Sequence, residues 1–151
     1  MNYWLIKSEH DTYSIDHLKR DKHTPWEGVR NYQARNFMQA MRPGDLALFY
    51  HSSTKSTGVY GLAKVTSAPH PDMTQFDKKG HYFEPRAAKE KPVWYCVDFA
   101  YVETFKSPLS LVEIKADPRL EGMKLRSPAS RLSVQTVSEK HFEYICKQCR
   151  V

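Results

Sequence analysis

The sequence predicts an α+β fold, a curved and mostly antiparallel sheet or small barrel with helices packed on it. Short strand-like apolar runs and short helical patterns are interspersed without the regular βαβ period of a parallel doubly wound sheet. Aromatic residues make up 13% of the chain, with nine Tyr, seven Phe and three Trp. That favours β structure and stacking surfaces over a plain helical bundle. Nine Pro against six Gly imply many short elements joined by defined turns. At 151 residues, the chain 1–151 is read as one domain with a real core.

The elements follow in order. "NYWLIKS" (2–8) alternates aromatic and aliphatic residues as a buried strand does. "YSIDHLKRD" (13–21) reads as a short helix capped by Ser14, with Ile15 and Leu18 facing inward. From Asn31, the pattern Phe37, Met38, Met41 marks the inner face of a second helix, ending before Pro43-Gly44. A tight turn then opens "GDLALFYHS" (44–52), a second strand. "GVYGLAKVTSA" (58–68) is a third, and its internal Gly61 marks a bend or a close backbone approach. Residues 69–80 read as a polar loop. "VWYCVDFAYVETF" (93–105) reads as one long fourth strand and a candidate for the centre of the sheet. Residues 107–116 read as a short helix with Pro108 near its start. "RLSVQTV" (131–137) is a last strand, before a helix over 138–149 capped by Ser138, with Phe142, Ile145 and Cys149 inward.

The formal charge of +6 suits an anionic partner, nucleic acid first, although scattered charge also serves solubility. The N-terminus "MNYWLIKSEH" has no positive n-region, and its apolar run is too short for a signal peptide or membrane span. An intracellular protein is expected, cytoplasmic if bacterial, with no membrane partner. Three cysteines make no disulfide framework. Cys146-x-x-Cys149 has no second pair, so reduced, partly buried thiols are expected rather than a metal or redox site. No P-loop, GxSxG, HExxH or dinucleotide fingerprint is present, so no motif supports an enzyme, and no cofactor is expected.

The stretch "PWEGVRNYQARN" (25–36) concentrates planar polar groups. Recognition of a base outside a duplex needs aromatic walls, amides for the base edge and cations for phosphates. Trp26 and Tyr32 can stack. Asn31, Gln33 and Asn36 carry paired donors and acceptors, and Arg30 and Arg35 suit phosphate forks. The plain alternative is a capped helix whose Arg and Asn hold neighbouring loops. Lys7, Ser8 and Glu9 end the first strand, and Tyr50, His51 and Ser52 end the second. Such clusters lie where a barrel opens into a pocket, or simply where strands stop.

"YWLIKSE", "WEGVRNYQARNFM", "PGDLALFYHS", "GVYGLAKV" and "SRLSVQTV" occur in this order. Over residues 2–146 the chain resembles the EVE domain family, which is similar to YTH domains, readers of methylated adenine in RNA. The resemblance implies a PUA-like fold, no catalytic activity, and binding of nucleic acid that carries a modified, cytosine-derived base. It places Lys7-Ser8 in the base pocket and makes Trp26 one aromatic wall, with Gly28 and Val29 beside it. Glu27-Gly28 stand where YTH domains carry Ser-Thr, so methyl-adenine specificity does not transfer. Tyr32, Tyr50, His51 and Trp94 are the candidates for a second wall. Ser8 with Asn31 or Gln33 is expected to read the base edge. Arg30, Arg35 and Arg131, with Lys7, are expected to hold phosphates. The runner-up expectation is an enzyme acting on a nucleoside or modified base in the same pocket, with Glu9, Glu27 or His51 as acid or base. The oligomeric state is not legible.

Overall fold

A computed structural model describes residues 1–52, 54–127 and 132–151. Its strands are β1 (Tyr3–Glu9), β2 (His23–Pro25), β3 (Leu46–Ser52), β4 (Gly58–Val65), β5 (His70–Pro71), β6 (Tyr95–Cys96), β7 (Asp98–Ser110) and β8 (Val134–Val137). Its helices are α1 (Ile15–Asp21), α2 (Tyr32–Ala40), α3 (Leu111–Ala116) and α4 (Glu139–Cys149). Six strands form one sheet in the order β2-β7-β4-β3-β1-β8, and β5 pairs with β6. β1 and β3 run parallel, and every other neighbouring pair in these sheets is antiparallel. Register shifts in the β3·β4 and β4·β7 pairs curl the sheet toward a half-barrel.

Both faces of the central strands are covered, which explains their continuous apolar runs. On β1, Trp4 and Ile6 enter one core cluster and Leu5 the other. On β3, Ala47 and Phe49 join the first, Leu48 and Tyr50 the second. Ile15, Leu18, Ala34 and Met38 of α1 and α2 close the first cluster. Ile114, Phe142, Ile145, Cys146 and Cys149 of α3 and α4 close the second.

The caps form as read. The Ser14 side chain accepts from the His17 N–H while His17 bonds back, and Ser138 accepts from the His141 N–H. Phe37 is half-buried against Trp4, and Met38 and Met41 are fully buried.

Four expectations are corrected. Residues 93–105 are not one strand, because β6 pairs with β5 and the chain turns at Val97 into β7. β7 is not central; it is second from the edge, between β2 and β4. Pro108 does not open a helix: β7 continues through it, and α3 begins after the Ser110 cap. Pro108 is tolerated because it falls in the irregular stretch between the Gly61↔Thr104 and Val59↔Leu109 pairs, where no ladder N–H is required. The last strand starts at Val134, and residue 131 lies outside the described residues.

Candidate functional site

β1 ends at Lys7, Ser8 and Glu9, and the chain turns back at once. The Thr12 and Tyr13 N–H groups both donate to the Glu9 carbonyl (3.0 and 2.8 Å). The Ser8 hydroxyl donates to the Tyr13 carbonyl (2.6 Å), fixing Tyr13 beside the strand end. Across from this turn, β2 leads into Trp26, whose N–H donates to the Val97 carbonyl (2.9 Å). Between them lies an open cleft of about 470 Å³, also bordered by Glu27 to Arg30, Tyr82 and Ser133.

Three aromatic rings face this cleft. Trp26 is 8% exposed, packed edge-to-face against Phe49 and Phe99 (both 5.6 Å) and against Tyr13 (6.3 Å). It is therefore a wall of the cleft and a core residue at once, and its truncation to Ala would cost about 3–5 kcal/mol of stability. The Tyr13 hydroxyl donates to Asp21 (2.9 Å), and burial together with Asp21 pushes its pKa up to about 12. Tyr82 is 41% exposed and covers Gly28. Gly28 has φ +88°, and a Cβ there would stand 2.9 Å from the Tyr82 ring, so only glycine allows that contact.

A buried carboxylate sets this loop. Asp72 accepts from the Gly28 N–H (2.8 Å), the Arg30 guanidinium (3.0 Å) and Thr74. Burial alone would raise its pKa, but these bonds outweigh burial and hold it low. Arg30 also donates to the Thr74 hydroxyl and the Tyr82 carbonyl, so it clamps the two loops together. Glu27 is different. Burial, then the Asp72 charge, raises its carboxyl above its ordinary value. Burial lowers the pKa of Lys7, whose ammonium lies 5.6 Å over the Tyr50 ring.

The structure brings Lys7, Ser8, Glu9, Trp26, Gly28, Val29 and Arg30 to the cleft. It separates the remaining candidates from it. The Asn31 side chain accepts from the Ala34 N–H as the cap of α2, and Gln33 is exposed on that helix. Arg35 donates to the Val93 carbonyl and to Asn36. Tyr32 stacks on Trp94 outside the cleft. Tyr50 points into the second core cluster, and Ser52 donates to the Ser8 carbonyl (3.4 Å) behind the site. His51 is 3% exposed; its Nε2 accepts from the Ile15 N–H (3.1 Å) and its ring stacks on Tyr60. Burial, aided by His10, lowers its pKa to about 4, so it is a neutral anchor for α1. Arg131 lies outside the described residues. Tyr13, Tyr82 and Asp72 were missed. The one signal for Tyr82 was an aromatic pair, Tyr82-Phe83, inside an otherwise polar loop.

Among the described residues, no group of three or more His, Cys, Asp or Glu stands together to hold a metal ion. Burial raises the thiols of Cys146 and Cys149 to about 11 and about 12, so both are protonated at neutral pH. No helix among the described residues is long and apolar enough to cross a membrane.

The EVE domain family model matches residues 2–148. Thymocyte nuclear protein 1 of Mus musculus is 39% identical over 162 aligned positions, covering 95% of this chain and 72% of the mouse protein. The crystal structure of human THYN1 in complex with DNA containing 5-methylcytosine superposes with a TM-score of 0.93 at 34% identity. That likeness covers 100% of this chain and 99% of the human one. A YTH domain of Zygosaccharomyces rouxii, solved with N6-methyladenosine RNA, shares the fold at a TM-score of 0.56 and 12% identity, over 99% and 87% of the two chains.

Proposed function

The chain belongs to the EVE domain family, and we propose that it is a non-catalytic module that takes one modified, cytosine-derived base of DNA or RNA into the cleft beside Trp26. The observation that carries this reading is the set of three rings, Tyr13, Trp26 and Tyr82, around one open cleft. About 470 Å³ falls within the roughly 300–1,000 Å³ of small-ligand pockets. Aromatic faces stack on a flat base at about 1–3 kcal/mol each. The Glu27 carboxyl suits the cytosine edge, because a carboxylate accepts from the N4 amino group. The likeness to human THYN1, solved with 5-methylcytosine DNA, supports the same class of ligand.

Arg30 serves this reading indirectly. Its guanidinium is bound to Asp72, Thr74 and the Tyr82 carbonyl, so it positions the Tyr82 wall and is not a free phosphate fork. Lys7 borders the cleft, but its ammonium lies over the Tyr50 ring, which belongs to the second core cluster.

One observation favours a second reading, an enzyme acting on a nucleoside or modified base: Glu27 borders the cleft and its carboxyl pKa is raised. A single experiment separates the two. Short single strands with one cytosine, unmodified or 5-methylated, are titrated against the wild type and Tyr82→Ala, and the nucleic acid is recovered and analysed. The module reading expects at least ~10-fold tighter binding of the modified strand, a gap of about 1.4 kcal/mol. Tyr82→Ala erases the gap, and the strand returns unchanged. Equal affinities overturn the base-reading role. A chemically altered base establishes the enzyme.

A further inference from the structure

Beside the cleft, a row of planar groups runs from Tyr82 to Tyr32. The Arg30 guanidinium lies over the Tyr82 ring at 5.2 Å and over Trp94 at 5.3 Å. Tyr32 stacks on Trp94 with centroids 5.0 Å apart and planes 22° from parallel. Trp94 is nearly buried, and its indole N–H donates to Glu84 (3.0 Å), so the platform under Tyr32 is rigid.

Trp94 covers one face of Tyr32. Arg35 is 4.9 Å from the Tyr32 centroid and 6.0 Å from that of Trp94. On the face opposite Trp94, it would stand at nearly the sum of the two shorter distances from Trp94. At 6.0 Å it lies to the side of the stack. Tyr32 is accordingly 47% exposed. Among the described residues, Arg35 donates to neutral oxygens, Val93 O and Asn36 Oδ1, and pairs with no carboxylate. Arg86, at the Tyr32 hydroxyl, is already paired with Glu84 (2.9 Å) and supplies no further net charge.

A supported aromatic face, a guanidinium that pairs with no carboxylate among the described residues, and continuity with the cleft through Arg30 fit one occupant, the next nucleotide of a single strand. We propose that Tyr32 and Arg35 form a second nucleotide subsite. Tyr32 stacks the base flanking the one held in the cleft, and Arg35 holds a phosphate beside it. The proposal rests on the reading of the cleft as a base-binding site.

The test compares 5-methyl-2′-deoxycytidine 5′-monophosphate with a single-stranded DNA pentanucleotide carrying 5-methylcytosine at its centre. The same pentanucleotide with unmodified cytosine is the control. The wild type is expected to bind the methylated strand about tenfold tighter than the monophosphate. Tyr32→Ala removes that gain and leaves the affinity for the monophosphate unchanged, and Tyr32→Phe keeps it. Arg35→Gln makes the slope of log affinity against log salt shallower by about 0.7. Melting temperatures confirm that the variants fold. A gain that survives Tyr32→Ala, or a wild type with no gain from strand length, overturns the subsite. Failure of the cleft reading shows itself differently, as equal affinity for methylated and unmodified pentanucleotides. A Tyr32-dependent gain in that case still establishes the subsite.

Discussion

His51 shows how one side chain can pass from candidate ligand to structural anchor. Its Nε2 accepts the Ile15 N–H at the start of α1, so the ring must be unprotonated there, while the buried Nδ1 has no partner among the described residues. Burial and, secondarily, His10 at 5.1 Å lower its pKa from 6.5 to about 4. The native state therefore refuses a proton that the unfolded chain accepts. That contribution is fully present above about pH 6.5 and is lost as pH falls toward 4. It amounts to at most roughly 3 kcal/mol. Urea midpoints at pH 7 and pH 4.5 should show a clear fall for the wild type. His51→Gln, which keeps an acceptor without a titrating ring, should fall less. Equal falls would mean that His51 does not carry the acid sensitivity.

Among the elements, β4 carries the tightest constraint near the site. It passes between β7 and the first residue of α1 at Gly61. A Cβ there would stand 2.5 Å from the Glu103 carbonyl oxygen and 2.7 Å from Cγ1 of Ile15. Both neighbours are fixed, one by the ladder and one by the core. Gly61→Ala should lower stability by about 1–3 kcal/mol through overpacking, read as a lower urea midpoint. Because α1 holds Tyr13 at the cleft, the variant should also weaken binding of the modified strand. Full stability in the variant would show that α1 moves away without cost. The close approach was legible from an isolated glycine in a strand pattern. Its partners, 42 residues downstream and 46 upstream in sequence, were not.

Across the whole molecule, net charge and the cleft act together. A charge of +6 raises affinity for any polyanion, and that share weakens with salt as counterion release is lost. The specific share requires a base outside the duplex, which costs a few kcal/mol from a matched pair and little from a single strand. Single strands should therefore bind more tightly than matched duplex of the same sequence. The gap should persist as salt rises while both affinities fall. Filter or fluorescence titrations at several salt concentrations measure this. Equal binding of the two forms at every salt would leave only non-specific attraction.

Whatever depends on local period and local caps is legible from the amino-acid order alone. The apolar runs of β1 and β3, the Ser14 and Ser138 caps and the inner faces of α2 and α4 arise from residues within a few positions of each other. The order of the motifs also carried the family. The cleft, by contrast, is built by long-range packing. Asp72 reaches Gly28 and Arg30 across more than forty residues, and Tyr82 closes the cleft from a loop with no regular period. The same long-range packing took Tyr50 and His51 into the interior and left Tyr32 exposed. Strand alternation states that two neighbours face opposite ways. It does not state that both faces will be covered, which is why the ends of β3 read as pocket and fold as core.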